Sequence, residues 1–367
     1  MISSLKNLNW HNFLARPRLP APSAEALDAL GRQTTLITGA GGSIGSALAL
    51  RLAALRPPRL LLLEGSESQL YHLEREWAEA GAAGPMTAIL GDMADRAMLD
   101  EVFAAHAPQL VFHAAAFKHV PLMEEHPLAA MANNILGAEN LVRAADEHGA
   151  RVVLLSTDKA VEPSSVMGAT KRVAEQIVLS AGGTVLRLGN VLASRDSVAE
   201  VFAEQIERGR PLTVTDAEAR RYFLTVDEAV DLLLTAAALP EACCLLASAL
   251  PAAHRITELA RFMAGELAPG REISIAFTGL RPGDKEAELL WPEGESTWPV
   301  QAGALVSVHS PSLPEDRLER ALAGLRSALA ARDLASALAQ LCTLVPEYRP
   351  GPAVRVRAQQ GAAEARL

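Results

Sequence analysis

Cysteine is scarce and badly spaced for any scaffold. Only Cys243, Cys244 and Cys342 occur in 367 residues, with no Cys-x-x-Cys pair, and an odd count argues against a disulfide framework. They read as small buried apolar residues in a reducing compartment. A long Lys/Arg block is also missing. The 34 basic and 43 acidic side chains give a formal net charge of -9, which argues against nucleic acid as the main partner. The 9 histidines show no His-Glu-x-x-His or comparable ligand spacing, so no structural metal is expected. No apolar run approaches the roughly 18 residues needed to span a bilayer. The N-terminal "MISSLKNLNWHNFLARPRLP" lacks the apolar centre of a signal peptide. A soluble, cytoplasmic protein is the expectation.

Half of the chain is hydrophobic, enough for one large α/β domain with a smaller lobe. From Thr34 onward, strands and helices alternate. "TTLITG", "RLLLLEG", "MTAILGD", "QLVFHAAA" and "RVVLLST" are short apolar runs, each separated from the next by a helical stretch. Apolar strands buried on both faces predict a parallel, doubly wound sheet of Rossmann type. After about Gly189 this rhythm breaks. "SVAEVFAEQIERG" and "TVDEAVDLLLTAAAL" read as amphipathic helices, "EISIAFTGL" as a lone strand, and 315–344 as helical. The predicted organisation is an N-terminal arm over 1–33, a nucleotide-binding domain over 34–189 with about 222–247, a smaller α/β lobe over 190–221 and 248–350, and a flexible tail over 351–367.

"TGAGGSIG" places Gly39, Gly42 and Gly45 between the first strand and the first helix of this pattern. There a glycine turn can hold a pyrophosphate, with the helix N-terminus facing its charge. Glu64 ends the second strand, where a carboxylate can accept both ribose hydroxyls and repel a 2′-phosphate. The following "GSESQ" has no Lys or Arg, so NAD is expected over NADP. Asp92 and Met93 follow the third strand, where an adenine would lie. Ser43 and Ile44 in the turn, Ser66 after Glu64, and Ala114, Ala115 and Ala116 after the fourth strand complete the expected cofactor set.

"STDKAVEPSSVMGATKR" follows the fifth strand, so Thr157, Asp158 and Lys159 fall at its carboxyl end, where open α/β sheets bind ligands. Many short-chain dehydrogenases carry Tyr-x-x-x-Lys here. In this chain Lys171 can hold ribose, but Met167 stands where the tyrosine would be. A thioether has no proton to give, so acid–base chemistry must come from the Thr-Asp-Lys run.

The chain resembles the UDP-N-acetylglucosamine 4,6-dehydratases of the CapD-like, polysaccharide-biosynthesis branch of the extended short-chain dehydrogenases. "TGAGGSIGS", "AAAFKHVPLMEEHP", "NNILGAENL", "STDKAVEPSSVMGATKR", "RLGNVLASRDSV", "RRYFLTVDEAV", "FTGLRPGDK" and "LVPEYRP" carry the resemblance, over about 13–350. It implies oxidation of the sugar at C-4 by bound NAD, loss of water across C-5 and C-6, and hydride return to C-6. A C-4 ketone acidifies the C-5 proton. Lys159 can remove that proton if neutral, and Asp158 can assist the departing hydroxide if protonated. Met167 resembles the family members that retain C-5 configuration. The C-4 hydroxyl proton then leaves through Thr157 or a water. Lys118 and His119 are implied beside the sugar, and Asn190, Arg195, Arg221, Arg281 and Asp284 at the sugar and diphosphate.

The family usually reads close to "GNVLGSRGSVIP". Here Ala193, Asp196 and Glu200 replace Gly, Gly and Pro, and Asp284 replaces Glu in "RPGDK". A dehydratase that also inverts C-5, a UDP-sugar 4-epimerase, and a silent nucleotide-sugar-binding protein stay open as alternatives. Many extended short-chain dehydrogenases pair through two helices, which here would be 127–147 and 168–181. A homodimer or larger assembly is expected.

Overall fold

The computed structural model describes residues 5, 7–82, 84–239, 244–293, 295–300, 303–311 and 313–364. Its strands are β1 Thr35–Thr38, β2 Leu60–Glu64, β3 Met86–Leu90, β4 Leu110–His113, β5 Arg151–Thr157, β6 Thr184–Leu188, β7 Asn190–Val191, β8 Leu212–Val214, β9 Arg220–Arg221, β10 Phe223–Leu224, β11 Leu245–Ser248, β12 His254–Arg255, β13 Ile275–Phe277, β14 Thr297–Val300 and β15 Leu305–Val308. Nine of them form one sheet in the order β14-β15-β11-β6-β5-β4-β1-β2-β3. From β3 to β11 the pairing is parallel, and β15 runs antiparallel to both of its neighbours. The expected doubly wound sheet is therefore present. Strand order reverses between β1 and β4, and that reversal opens a crevice at the carboxyl edge.

Burial explains why these runs are strands. Leu36, Ile37, Leu61, Leu62, Val111, Val153 and Leu154 are all 0% exposed, covered by helices on both faces. Each such side chain contributes about 1.5–3 kcal/mol of burial. A second core lies in the lobe, where Phe202, Leu212, Val214, Phe223, Leu259 and Met263 pack together. The first half of the N-terminal arm belongs to this core, since Trp10, Phe13 and Leu14 are buried in it, whereas Leu30 is buried in the main core. Arg16 fixes the arm through two bonds to the buried Glu228 carboxylate, at 2.6 and 2.9 Å.

Four expectations change. The lobe does not extend to residue 350. β14 and β15 extend the main sheet, and Leu318, Leu322, Leu325, Leu338 and Leu341 of the helices Glu315–Ala330 and Leu334–Leu344 are buried in the main core. The strand in "EISIAFTGL" is not alone, because β13 pairs in parallel with β8. The tail is helical over Pro352–Glu364, with Val354 fully buried and Arg357 donating to the Glu124 carbonyl at 2.9 Å. Its single buried valine left too little pattern to read, although proline suits a first helical turn. Cys244 and Cys342 are half-buried rather than buried, and Cys243 lies outside the described residues.

The helix expected to pair two copies is also occupied within the chain. In Val166–Ser180, every residue from Val166 through Val178 is buried. Gln176 donates to the Leu344 carbonyl at 3.0 Å, and Arg172 to Ser310 at 2.7 Å. Residues 127–147 form Pro127–Met131, a π-helical turn Ala132–Leu136, and Gly137–Glu147. Arg143 and Arg326 tie this segment to the helix Glu315–Ala330 through Glu319 and Glu139. The chain's own C-terminal helices thus make contacts with both segments assigned to pairing. Among the described residues, no helix is long and apolar enough to cross a membrane.

Candidate active site

A cleft of about 1270 Å³ lies along the carboxyl ends of the central strands. Its nucleotide end is the turn after β1. Gly39 has φ +65, and a side chain there would come within 2.7 Å of the Ala115 backbone. A Cβ on Gly45 would lie 2.1 Å from the Gly39 carbonyl oxygen. The turn closes only with glycine at both places. Gly42 N-caps the helix Ser43–Ala53 without a side-chain bond, so the first helical N–H groups face the cleft unfilled. Ser43, Ile44, Glu64, Ser66, Asp92, Met93, Ala114, Ala115 and Ala116 all line the same space.

Glu64 is buried. Its carboxylate accepts Gly41 N–H at 2.9 Å and Ser66 N–H at 3.0 Å. It therefore pins the glycine turn, and lone pairs remain on both oxygens for ribose. No Lys or Arg from β1 through Ala116 lines the cleft among the described residues. These features fit an adenine dinucleotide without a 2′-phosphate.

Lys171 is buried on the helix Val166–Ser180, and its ammonium donates to the Leu155 carbonyl at 2.8 Å. Burial pushes its pKa down to about 8, against the pull of Glu175. His113 lies behind it, bonded to Thr38 at 2.8 Å, and burial together with Lys171 holds it neutral with a pKa of about 3. Met167 is 3% exposed and contributes to the cleft wall.

Thr157 ends β5, and the turn Asp158–Ala160 follows it. Thr157 and Lys159 line the cleft, whereas Asp158 is fully buried behind them. The Thr157 hydroxyl donates to Asp158 Oδ1 at 2.9 Å, and Lys159 Nζ lies 2.9 Å from the same oxygen. Lys159 Nζ also donates to Asn190 Oδ1 at 2.9 Å. The two forms of this pair, ammonium with carboxylate and amine with carboxylic acid, differ by one proton moved along that contact. Asn190 lines the cleft and accepts Lys159 through its side-chain oxygen, whereas Asp158 reaches the cleft only through its neighbours.

The remaining expected residues lie at the sugar end, though several are already engaged. Arg195 reaches back to the Gly41 carbonyl and Glu76, and its N–H meets Ser43 Oγ at 2.8 Å. It straps the lobe to the cofactor turn. Arg221 is buried and spends its guanidinium on the carbonyls of Arg220, Lys285 and Glu286. Arg281 is exposed at the cleft and held by Asp284 at 2.9 Å, which leaves it the most available arginine for a diphosphate. Lys118 donates to the Arg195 carbonyl, and burial lowers its pKa. His119 is also lowered, by burial first and Lys118 next. Its Nε2 lies 3.8 Å from Asp196.

Ala193 and Asp196, where the family usually has glycine, have φ of +55 and +56. The loop keeps a glycine backbone without glycine. Sequence reasoning also missed Asn134. Its amide bonds both the N–H and the carbonyl of Phe117 and reaches Thr170, at 2.8, 3.1 and 3.0 Å. It sits on the π-helical turn, a distortion that often marks functional sites. The paired asparagines of "NNILG" were the available signal.

A glycine turn, a buried lysine and a Thr-Asp-Lys run around the switch point of this strand order define a Rossmann-type fold of the extended short-chain dehydrogenase kind. The chain belongs to the polysaccharide biosynthesis protein family, which matches residues 35–310. It is 38% identical over 304 residues to the capsular polysaccharide biosynthesis protein CapD of Staphylococcus aureus, covering 80% of this chain and 51% of CapD. It thus spans about half the length of that relative. It is 34% identical over 272 residues to a UDP-glucose 4-epimerase of Rickettsia canadensis, covering 70% of this chain and 77% of the epimerase. Among solved structures, Pen from Bacillus thuringiensis superimposes with a TM-score of 0.71 at 27% identity, over 77% of this chain and 90% of that one.

Proposed function

We propose that this protein is a NAD-dependent sugar-nucleotide 4,6-dehydratase acting on UDP-N-acetylglucosamine, with retention at C-5. The observation that carries the reading is Lys159 at the cleft wall, bonded to Asp158 and Asn190, in a cleft also lined by a Met167 that cannot exchange a proton. A 4-epimerase, the activity named for the Rickettsia relative, moves a proton and a hydride at C-4 alone. It has no use for an amine–carboxyl pair.

Bound NAD would supply the hydride acceptor for C-4 and return the same hydride at C-6. Lys171, whose pKa burial lowers to about 8, would hold the ribose through its ammonium. The O-4 proton would leave through Thr157, whose hydroxyl already donates to Asp158. Lys159, as the amine, would take the proton from C-5 once C-4 is a ketone. Asp158 would return a proton through Thr157 or Lys159 to the hydroxide leaving C-6. Arg281 would hold the diphosphate.

The test is Lys159→Met with UDP-N-acetylglucosamine. The variant should still bind NAD and the UDP-sugar, and should lose dehydration by at least about 10²-fold, the usual weight of general base catalysis. Full turnover in that variant would remove Lys159 from the mechanism. A wild-type product that keeps its water would favour the epimerase.

A further inference from the structure

We propose that Glu288 shares a proton with Asp158, and that this buried carboxyl pair behind Lys159 is the proton store for the leaving hydroxyl. The dehydratase reading gives the proton its use, while the position of the proton stands apart from that reading.

The segment carrying Glu288 is tightly fixed. Arg220 N–H donates to the Glu286 carbonyl at 2.8 Å, and Arg220 bridges Ala287. Arg221 donates to the carbonyls of Glu286 and Lys285 at 3.0 and 2.7 Å. Lys285 Nζ reaches the Val161 carbonyl, just past the Thr-Asp-Lys turn, at 2.7 Å. The same ammonium lies 3.4 Å from Glu288 Oε2, so Lys285 bridges the Glu288 carboxyl to the end of that turn, and Glu288 is 5% exposed and outside the cleft wall.

Two carboxyl oxygens there are unsatisfied. Asp158 Oδ1 takes both Thr157 and Lys159, but Asp158 Oδ2 is buried with no hydrogen-bond partner among the described residues. Glu288 Oε2 is in the same condition, with Lys285 Nζ at 3.4 Å, in ion-pair range but outside hydrogen-bond geometry. An unpaired buried oxygen costs about 1–3 kcal/mol, and a second ionised carboxylate in the same buried surroundings adds to the cost. One proton between the two groups, direct or across one water, relieves both. The charged groups facing Glu288 are Lys159, Asp158, Lys285 and Arg221. Burial and Asp158 raise its pKa, and the three cations fail to cancel them.

The proton count closes on this arrangement. C-4 oxidation frees one proton from O-4, and the pair takes it up. In elimination the C-5–H electrons form the C-5=C-6 bond, and Lys159 takes the C-5 proton. The C-6–O bond breaks as its oxygen receives the stored proton and leaves as water, and hydride return to C-6 would then move the C-5=C-6 electrons onto C-5, which recovers its proton from Lys159. Glu288 touches no reacting atom and is a positioning residue acting through Asp158.

The test is infrared difference spectroscopy of the ligand-free full chain at neutral pH, in water and heavy water. It compares wild type, Glu288→Gln, Asp158→Asn and Glu288→Asp. A protonated-carboxyl band present in wild type should vanish in both Glu288→Gln and Asp158→Asn, and return with a shifted midpoint in Glu288→Asp. Glu288→Gln should also slow water loss roughly tenfold or more, while C-4 oxidation, read as reduced-nicotinamide absorbance, changes little. Its pH–rate profile should shift rather than merely scale. A wild type without the band, or a band untouched by Glu288→Gln, overturns the proposal. So does a Glu288→Gln enzyme with unchanged rate and profile. If Glu288→Gln does not fold, the Glu288→Asp spectrum decides in the same way. The expected bands in a wild type that dehydrates no UDP-sugar would retain the pair and reject the dehydratase reading.

Discussion

Glu175→Gln should be among the most destabilising single changes in this protein, and it should reach the active site. Glu175 is fully buried on the helix Val166–Ser180 and accepts Arg187 through two bonds of 2.8 and 2.7 Å, Arg172 at 3.1 Å and Ser156 at 2.6 Å. Burial alone would raise its pKa, but Arg187 and Arg172 overcome it and hold the carboxyl at about 2 instead of 4.5. That difference corresponds to about 3 kcal/mol of stability at neutral pH. Because the folded value is the lower one, this contribution is complete above about pH 4.5 and is lost as the pH falls through about 2. The amide also strands Arg187, 1% exposed, as an uncompensated buried charge. Breaking such a pair costs about 3–5 kcal/mol, or roughly 6–10 °C in Tm at about 2 °C per kcal/mol for a large domain. Replacing both partners, as in Glu175→Gln with Arg187→Met, should recover most of the loss. Thermal unfolding of the single and double variants measures this. Ser156 precedes Thr157, and Glu175 supports the charge on Lys171, so the single variant should also lower the Lys171 pKa below about 8. A single variant less than about 1 kcal/mol below wild type would refute the reasoning.

Ala193→Gly should stabilise the fold by about 0.5–1 kcal/mol, because φ +55 strains alanine and not glycine; a lower Tm would contradict it. Glu64 and the absence of cations beside it should make NAD bind more tightly than NADP by titration. Equal affinity would remove the repulsion argument, and Glu64→Ala should weaken both cofactors, since the same carboxylate pins Gly41.

Much of the sheet was legible because β1, β2, β4 and β5 are short apolar runs with no polar face, a pattern few other folds leave. The glycine turn was legible for the same reason, since its spacing answers to steric limits at Gly39 and Gly45. β14 and β15 were not. "TWPV" holds a proline and "LVSV" is short, and their strand state comes from pairing across the sheet edge. The covering of Val166–Ser180 by the C-terminal helices was hidden too, since an alanine-rich face suits a partner copy or the same chain equally. At the site, residue types were readable but partners were not. Asn190, Arg195 and Arg221 all line the cleft, as their motifs led one to expect, but their bonds to Lys159, to the Gly41 carbonyl and to the carbonyls of Lys285 and Glu286 were not readable. Glu288 is 130 residues from Asp158 in the chain, and no local pattern relates the two.

The most direct test of the central claim is an incubation of wild-type protein with UDP-N-acetylglucosamine carrying deuterium at C-4, run in parallel with unlabelled substrate in heavy water. The account predicts a product lighter by one water. The C-4 label should appear at C-6 of the same molecule, and solvent deuterium at C-5 with its configuration retained. A product that keeps its water and carries the label back at C-4, or one that loses the label to solvent, would contradict it.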